Sequence, residues 1–469
     1  MAMTKMKRIV FGCALGGFAL VLSGCASTSE QSAIQSLKST DESRSQVHVA
    51  GATYSRTQLP QLNEDSGLSN YLAYAALNNP QLEAAFNRWK AALEMVSQAR
   101  TLPDPRFNYA YFIQEVETRV GPQEQGVGLS QMFPWFGKLK LRGEGALEGA
   151  NAMQQHYEAA KLKLFDEVKQ AYHELYYVGR AVSVTAENID LLKQLEEIAR
   201  SKYESGTAEH GDVIKAQVEL DKLRDRLRTL QDFKHPLVAR LNAALNRPAE
   251  AALPFPTNLS PASLTAESSR LIEQVKASNP ELKSLDFLAE KEKANIALAK
   301  KEFYPDVTVG LNYIDTGNAR MAGVSDSGKD PVILGFSVNI PLWWEKYRAG
   351  VREAEDRYAA TQQDRQDRAN RLSTDLKLAL FKYQDAERKI ALYRDALIPK
   401  ADQNLKVIQR SFEAGKSDFL SLVDAERILL EFQLTYERAV ADREQGLATV
   451  ERLIGGESPA LSPTIERKP

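Results

Sequence analysis

Residues 332–342 read VILGFSVNIPL, and their alternation decides how the rest of the chain is interpreted. Large apolar side chains stand at every second position, which are Val332, Leu334, Phe336, Val338 and Ile340. The intervening positions are Ile333, Gly335, Ser337 and Asn339. A period of two residues predicts a β-strand with two unlike faces. Most of the remaining sequence is typical of long, charged helices, so it is not obvious which sheet this strand joins. Its two unlike faces also raise the question of what each face contacts.

Three more segments share this alternation, and they run from Phe107 to Gln114, from Gly126 to Phe133 and from Val307 to Tyr313. The solvated face of a soluble sheet usually carries Lys, Glu and Arg, whereas the polar face here holds mostly small residues. Transmembrane β-strands are about 9 to 11 residues long, apolar toward lipid and polar toward a lumen. We therefore predict lipid on one side of the four strands and water on the other.

Four strands cannot close a barrel alone, and open sheet edges are not tolerated in hydrocarbon. About eight strands already give an interior filled by side chains. The sequence therefore predicts a barrel shared between chains, with more than two chains around an open pore.

The overall charge gives no reason to expect a nucleic-acid partner. Lys and Arg number 60 against 62 Asp and Glu, so the chain has no net positive charge to attract phosphates. With 26% charged and 43% hydrophobic residues, the composition is that of an ordinary folded protein.

The N-terminus predicts a lipoprotein signal peptide over residues 1–24. Basic residues precede the apolar stretch Ile9–Leu22, which is too short to span a bilayer. The following Leu-Ser-Gly-Cys sequence resembles a bacterial lipobox, so Cys25 is the predicted lipid-attachment site, and Ala26 favours the outer membrane. An ordinary signal peptide with an incidental Cys25 remains the alternative. Without Cys13 the mature chain has one cysteine and cannot form an internal disulfide.

The rest of the chain contains one pattern twice. Asn79-Pro80-Gln81-Leu82 recurs as Asn279-Pro280-Glu281-Leu282, and the YESG of residues 203–206 recurs as the FEAG of residues 412–415. Gly128 with Pro134 likewise recurs as Gly335 with Pro341. Such self-similarity indicates an internal duplication.

The duplication sets the predicted domain boundaries. Residues 25–66 form an acylated arm, rich in Ser, Thr and Gln, that we expect to be extended or loosely packed. The first repeat covers residues 67–247 and the second covers residues 263–456. A Pro-rich linker at residues 248–262 separates them, and a tail occupies residues 457–469.

Each repeat follows the same predicted plan of a helix, a β-hairpin and a long helix pair. The hairpins are placed at about 105–134 and 305–341, and the first long helices at 142–203 and 347–412. At 1.5 Å per residue these helices are roughly 90 to 100 Å long. Pro236 and Pro399 fall inside helical patterns and are expected to kink the helices rather than end them.

This duplicated plan, the junction prolines and the YESG and FEAG turns resemble the TolC-type outer membrane efflux family over residues 67–456. The resemblance implies an α+β membrane protein, a homotrimer whose 12-stranded transmembrane β-barrel takes four strands from each chain. A long α-helical barrel would continue it through the periplasm. It implies no catalysis and no cofactor, but a passive exit duct in the outer membrane. The implied partners are outer membrane lipid, a periplasmic adaptor protein and an inner-membrane pump of the resistance-nodulation-division class.

The resemblance also implies roles for residues near the two turns. Gly206 and Gly415 match the turns at which the adaptor docks. A second set matches the narrow periplasmic entrance of the family, namely Asp212, Phe412, Asp418 and Asp424. Phe412 stands where a gate tyrosine often lies, and Ser417 and Ser421 replace an Arg and an Asp of some members. Asp418 directly follows a turn, so a helix N-cap is an equally good interpretation.

Other functions were weighed against this one. His173-Glu174 lacks the second His of a zinc protease helix, no phosphate loop or nucleophile elbow occurs, and no metal site is predicted. A coiled-coil periplasmic scaffold or adaptor lipoprotein would share the lipobox and the long helices but would need no lipid-facing hairpins. The cargo also remains open between drugs, metal ions and, in type I secretion, proteins. The LPDP and FPWFGKL sequences resemble those of channels paired with heavy-metal pumps.

Overall fold

The structure is a computed structural model that describes residues 28–49, 52–257, 259, 262–264, 267–456 and 461–463. Cys25 and the predicted signal peptide lie outside the described residues. By its contacts the chain divides into two units, one ending at Ser43 and the other beginning at Arg44. Among the described helices, none contains a stretch long and apolar enough to cross a membrane.

The predicted loose arm contains regular structure instead. Helix α1 spans Thr28–Ser45, and the strands β1 (Gln46–Val49) and β2 (Ala52–Ser55) form an antiparallel pair. Serine hydroxyls of α1 donate to carbonyls one turn earlier, as Ser32 does to Ser29 and Ser43 to Thr40. Hydrophobic periodicity could not predict this helix, because α1 is polar and has no marked apolar stripe.

The first repeat contains four helices and one hairpin. In chain order the elements are α2 (Leu68–Asn78), α3 (Pro80–Arg100), β3 (Arg106–Thr118), β4 (Gly121–Phe133), α4 (Lys138–Glu204) and α5 (His210–Leu245). The hairpin lies within its predicted span, and α4 begins four residues before the predicted start.

The second repeat has the same order of elements as the first, with one interruption. Its elements are α6 (Ser268–Ser278), α7 (Pro280–Lys301), β6 (Val307–Thr316), β7 (Val332–Val338), α8 (Trp344–Leu392), a π-helical segment (Tyr393–Leu397), α9 (Ile398–Glu413) and α10 (Phe419–Ile454). Two short strands flank it, β5 (Ala262–Leu264) before α6 and β8 (Leu461–Pro463) after α10. In the C-terminal tail, β8 pairs with β5, which the sequence did not predict.

The repeated Asn-Pro sequence has the same structural role in both copies. The side chain of Asn79 caps α3 by accepting from the Leu82 amide, and that of Asn279 caps α7 by accepting from the Glu281 amide. Their Nδ2 groups donate to carbonyls near the ends of α5 and α10, at Ala244 and Leu453. The duplication therefore extends from sequence to individual hydrogen bonds.

Both interior prolines lie in helices that continue past them. Helix α5 runs through Pro236 without ending. Before Pro399, the amide of Ile398 bonds to the carbonyl of Tyr393, so one π-turn precedes the proline and α9 follows directly. A proline removes one backbone donor, and a π-bulge is one way for a helix to accommodate this loss.

Helix α4 is the central element of the helical part. It has 67 residues, about 100 Å at 1.5 Å per residue, and packs on α3, α5, α7 and α10. Near the two turns, apolar side chains of α4, α5, α9 and α10 form one core, which includes Leu195, Leu220 and Leu422. This length separates the turns from the sheet.

The four longer strands form one antiparallel sheet in the order β3-β4-β6-β7. Leu129 of β4 lies opposite Phe107 of β3 on one side and opposite Leu311 of β6 on the other. Leu311 in turn lies opposite Leu334 of β7. The two hairpins therefore share one sheet, and the strand of residues 332–338 is one of its two edges.

A buried lysine joins the two repeats where the sheet meets the helices. Lys138 begins α4 and is fully buried. Its Nζ lies 2.9 Å from Asp306 Oδ1, 3.2 Å from Glu302 Oε2 and 3.2 Å from the Tyr304 carbonyl. Asp306 also accepts from the Trp135 amide at 2.8 Å. The start of α4 is thereby fixed to the segment between α7 and β6.

Replacing Lys138 with Met should lower the free energy of unfolding by about 3 kcal/mol, because Asp306 would keep its charge in a largely buried site without a cation. Chemical denaturation of the purified protein measures this change. Lys140→Met is the matched control, since Lys140 is exposed and its pair with Glu144 lies on the helix surface. Equal effects of the two substitutions would contradict a structural role for the buried lysine.

Candidate functional site

One face of the sheet is apolar and uncovered in the described chain. The row Phe107, Leu129, Leu311 and Leu334 crosses all four strands, with exposed fractions of 68%, 45%, 44% and 61%. The neighbouring row on the other face holds Asn108, Gly128 and Asn312, with one large apolar residue, Ile333, at the edge strand. At Gly128 a Cβ would lie 2.2 Å from the end of the Asn312 side chain, so a larger residue there would displace that side chain. The predicted division into an apolar and a small, polar face is confirmed.

Large aromatic side chains lie exposed where the strands end. Phe136 follows β4 and is 84% exposed, while Trp343 and Trp344 follow β7 and are 75% and 58% exposed. Aromatic residues of this kind collect at the level of lipid headgroups, where one end of the ring is apolar and the other is hydrated. These positions give the apolar band a border on the side of the helices.

The two predicted docking turns have the same backbone conformation. Gly206 and Gly415 both have φ of 73°, in the left-handed region. The amide of Gly206 donates to Tyr203 and that of Thr207 to Lys202, and the second turn repeats these two bonds. This is the Schellman arrangement that ends a helix, and it reverses the chain between α4 and α5 and between α9 and α10. No atom lies within 4 Å of a Cβ built on either glycine, so the turns are open to contact.

The three predicted entrance aspartates lie near these turns, each with a local partner. Asp212 is in the first turn of α5, 3.1 Å from Lys215 Nζ. Asp424 is exposed on α10, 3.3 Å from Arg427. Asp418 caps α10 by accepting from the amide and the hydroxyl of Ser421, and these bonds hold the pKa of its carboxyl below the usual value. The N-cap interpretation of Asp418 is confirmed.

Phe412, which the resemblance placed at the entrance, lies in the apolar core of the described chain. It is buried against Phe419, with ring centroids 5.6 Å apart, and Lys202 Nζ is 5.4 Å from its ring. An apolar ring at the end of α9 gains more from packing between helices than from exposure. The structure therefore gives Phe412 a packing role in the turn, and the gate tyrosine has no polar counterpart at this position.

Sequence reasoning missed an ion pair that connects α5 to α10. Both nitrogens Nε and Nη2 of Arg427 contact the carboxylate of Glu219, the former at 3.1 Å. Lys222 Nζ lies 2.8 Å from the same carboxylate. The Arg427 guanidinium lowers the pKa of Glu219. The pair adds a polar link between α5 and α10 to the apolar core that they share near the turns.

A groove lies beside this ion pair, between α5 and α10. It has a volume of about 570 Å³ and is lined mainly by charged residues, among them Lys222, Arg226, Glu431 and Arg438. Separating α5 from α10 would require breaking the Glu219–Arg427 pair.

Glu426 is a second residue that sequence reasoning missed. It is 1% exposed, and its Oε1 makes no hydrogen bond within the described chain. Burial, with a smaller effect of the nearby Glu219, raises its pKa to about 7. The available signal was its position in the apolar stripe of α10, three residues after Val423 and three before Leu429.

The pKa of Glu426 makes the stability of this region depend on pH. The folded state holds its proton up to about pH 7, whereas an unfolded Glu releases it near pH 4.5. The stabilisation from this proton is present at low pH and is lost as pH rises from about 4.5 to 7. Glu426→Gln should therefore stabilise the protein by on the order of 2 kcal/mol at pH 8, with little effect near pH 5.

Thermal unfolding of wild type and variant at both pH values measures this difference. Glu431→Gln is the matched control, because Glu431 lies on the same helix and is exposed. A pH-independent effect of Glu426→Gln, or the same effect from Glu431→Gln, would contradict a buried titrating carboxyl.

Metal-ligand geometry is not found in the described part of the chain. No group of three or more His, Cys, Asp or Glu side chains there is arranged to hold a metal ion. His173 is buried, and burial lowers its pKa to about 3, so it is neutral.

The two repeats match known proteins. A sequence model described as "Outer membrane efflux protein" matches residues 72–247 and 271–456. The cobalt-zinc-cadmium resistance protein CzcC of Cupriavidus metallidurans is 23% identical over 395 residues, 82% of this chain and 88% of that protein. The outer membrane protein TolC of Vibrio cholerae is 23% identical over 390 residues, 81% of this chain and 88% of that protein.

A solved structure shows the same fold. The structure of CusC, from a study of folding and transmembrane channel formation, superposes with a TM-score of 0.71 at 16% identity, and the match covers 83% of this chain and 92% of that one. At this identity the likeness establishes the fold alone. The family match over both repeats establishes more: this chain belongs to the outer membrane efflux protein family.

Proposed function

We propose that this protein is the exit duct of a tripartite efflux system in the bacterial outer membrane. Three chains would share a 12-stranded transmembrane barrel, with four strands from each, continued by a helical tunnel in the periplasm. Cys25 would carry the lipid that anchors the arm. The duct would act without catalysis, passing cargo delivered by an inner-membrane pump through a periplasmic adaptor.

The observation that carries this proposal is the uncovered apolar face of the sheet. Its row of Phe107, Leu129, Leu311 and Leu334 is too large and too exposed for a sheet in water. No helix of the described chain packs extensively across this sheet. A periplasmic scaffold lipoprotein would have no use for such a face, whereas lipid would cover it without any further protein.

The helical end of the chain supports the proposed periplasmic tunnel and the docking of an adaptor. The turns at Gly206 and Gly415 are separated from the sheet by the length of α4, about 100 Å, which is enough to reach across much of the periplasm. We assign these turns to adaptor docking, and Asp212 and Asp424 to the entrance. Lys215 and Arg427 pair with these aspartates, so the negative potential of the entrance is weaker than bare carboxylates would produce.

For the cargo we propose small molecules or metal ions. CzcC is named for cobalt, zinc and cadmium resistance, and its similarity extends over both repeats.

Single-channel recording of the purified full-length protein in a planar bilayer tests the duct directly. We expect discrete conductance steps and, in a salt gradient, a reversal potential of cation selectivity, because threefold symmetry would make each entrance Asp a ring of three. Asp212→Asn with Asp424→Asn should reduce the selectivity. Glu64→Asn with Asp65→Asn is the matched control, because these acids lie in the exposed segment before α2, far along the chain from the turns.

Two results would count against the proposal in different ways. An absence of any conductance from heat-modifiable oligomers would contradict the duct. An unchanged reversal potential in the double variant would leave the duct standing and remove Asp212 and Asp424 from the entrance.

A further inference from the structure

A cation lies on the face of the sheet that is proposed above to line the lumen. Arg106, the first residue of β3, lies opposite Ser130 of β4. Ser130 in turn lies opposite Gly310 of β6, and Gly310 opposite Gly335 of β7. This row belongs to the small, polar face, because Arg106 directly precedes Phe107 of the apolar face.

The rest of this face is uncharged over the regular part of the sheet, which ends at the irregularity after Tyr111. The other paired positions that the structure describes there hold only Gly, Ala, Ser, Thr, Asn, Met and Ile. Arg106 is therefore the one source of charge on this part of the face.

The fold does not use the charge of Arg106. The side chain is exposed, and no described residue forms an ion pair or a cation–π contact with it. Lys138, at the same junction of sheet and helices, is by contrast buried and paired with Asp306 and Glu302. The neighbours of Arg106 in its row are Ser130 and two glycines, so no large side chain of the row covers it.

The dimensions of the proposed barrel let this charge act across the lumen. Twelve strands spaced by about 4.8 Å and tilted by about 40° enclose a backbone radius of about 12 Å. The long arginine stem carries the guanidinium inward from the wall. The remaining distance to the axis is comparable with the Debye length, which is about 10 Å at 0.1 M salt.

We propose that Arg106 sets the ion preference of the barrel. The inference rests on the proposed function, because sharing of the barrel by three chains would place three copies of Arg106 in a ring at its base. Rings of Arg or Lys attract anions and repel cations. The barrel would thus favour anionic and neutral cargo over free cations, whereas Asp212 and Asp424 would give the entrance the opposite preference.

Single-channel recording of the full-length protein in a KCl gradient near about 0.1 M tests this assignment. Arg106→Gln should raise the ratio of potassium to chloride permeability severalfold, because a cation ring that repels potassium is removed. Arg106→Glu should raise the ratio further, and Arg106→Lys, which keeps the charge, should restore the wild-type ratio. Lys38→Gln is the matched control, because Lys38 is an exposed cation on α1, outside both repeats.

The salt dependence separates a charge effect from a change in pore shape. At about 1 M salt the Debye length falls to about 3 Å, so the field of the ring no longer reaches the axis. The permeability ratios of wild type, Arg106→Gln and Arg106→Glu should then converge.

Chemical modification of Arg106→Cys changes the charge within one open channel, so it does not depend on how each variant folds. A positively charged thiosulfonate reagent should return the permeability ratio to the wild-type value. A negatively charged one should move the ratio beyond that of Arg106→Gln. The same reagents applied to the wild type control for reaction at Cys25.

The outcomes distinguish this inference from the proposed function. A wild-type permeability ratio in Arg106→Gln, or no response of Arg106→Cys to either reagent, would overturn the role of Arg106 and leave the duct standing. A shift of the same size at about 1 M salt would also overturn it, because a screened charge cannot produce such a shift. An absence of any conductance in the wild type would instead overturn the duct itself.

Discussion

The apolar face of the four-stranded sheet is the constraint on which the rest of this structure depends. Large side chains cross all four strands in one row and lie uncovered, whereas the opposite face carries Asn and Gly. Burying one such side chain is worth roughly 2 kcal/mol, so a face of this size must find an apolar medium. In the proposed function lipid supplies that medium, and the edges of the sheet would then require a second chain.

The junction between the sheet and the helices fixes the position of the helices relative to the sheet. Lys138, the first residue of α4, pairs with Asp306 and Glu302 of the other repeat. The two hairpins and the longest helix are therefore joined at one place. From there α4 carries the chain about 100 Å to the turn at Gly206. At the far end, the Glu219–Arg427 pair and the buried Glu426 place charge inside the helical packing.

Much of this architecture could be predicted from local patterns. The period of two in residues 332–338 and the glycine turns each depend on a few neighbouring residues, and the structure has them where they were predicted. The features that were missed depend on residues far apart in the chain. Glu219 meets Arg427 across 208 positions, and β8 pairs with β5, although neither partner is unusual alone. The burial of Phe412 was hidden for a different reason, because its partner Phe419 is near in the sequence but lies beyond a chain reversal.

The central claim is that lipid covers one face of the sheet and water the other, and thiol labelling along β7 tests it most directly. Single cysteines would replace Phe336, Ser337 and Val338 in the full-length protein, and intact outer membranes would be treated with a membrane-impermeant maleimide. The account predicts rapid labelling at Ser337→Cys and protection at Phe336→Cys and Val338→Cys, an alternation with the period of the strand. Equal labelling at all three positions would contradict it, because the apolar face would then lie in water.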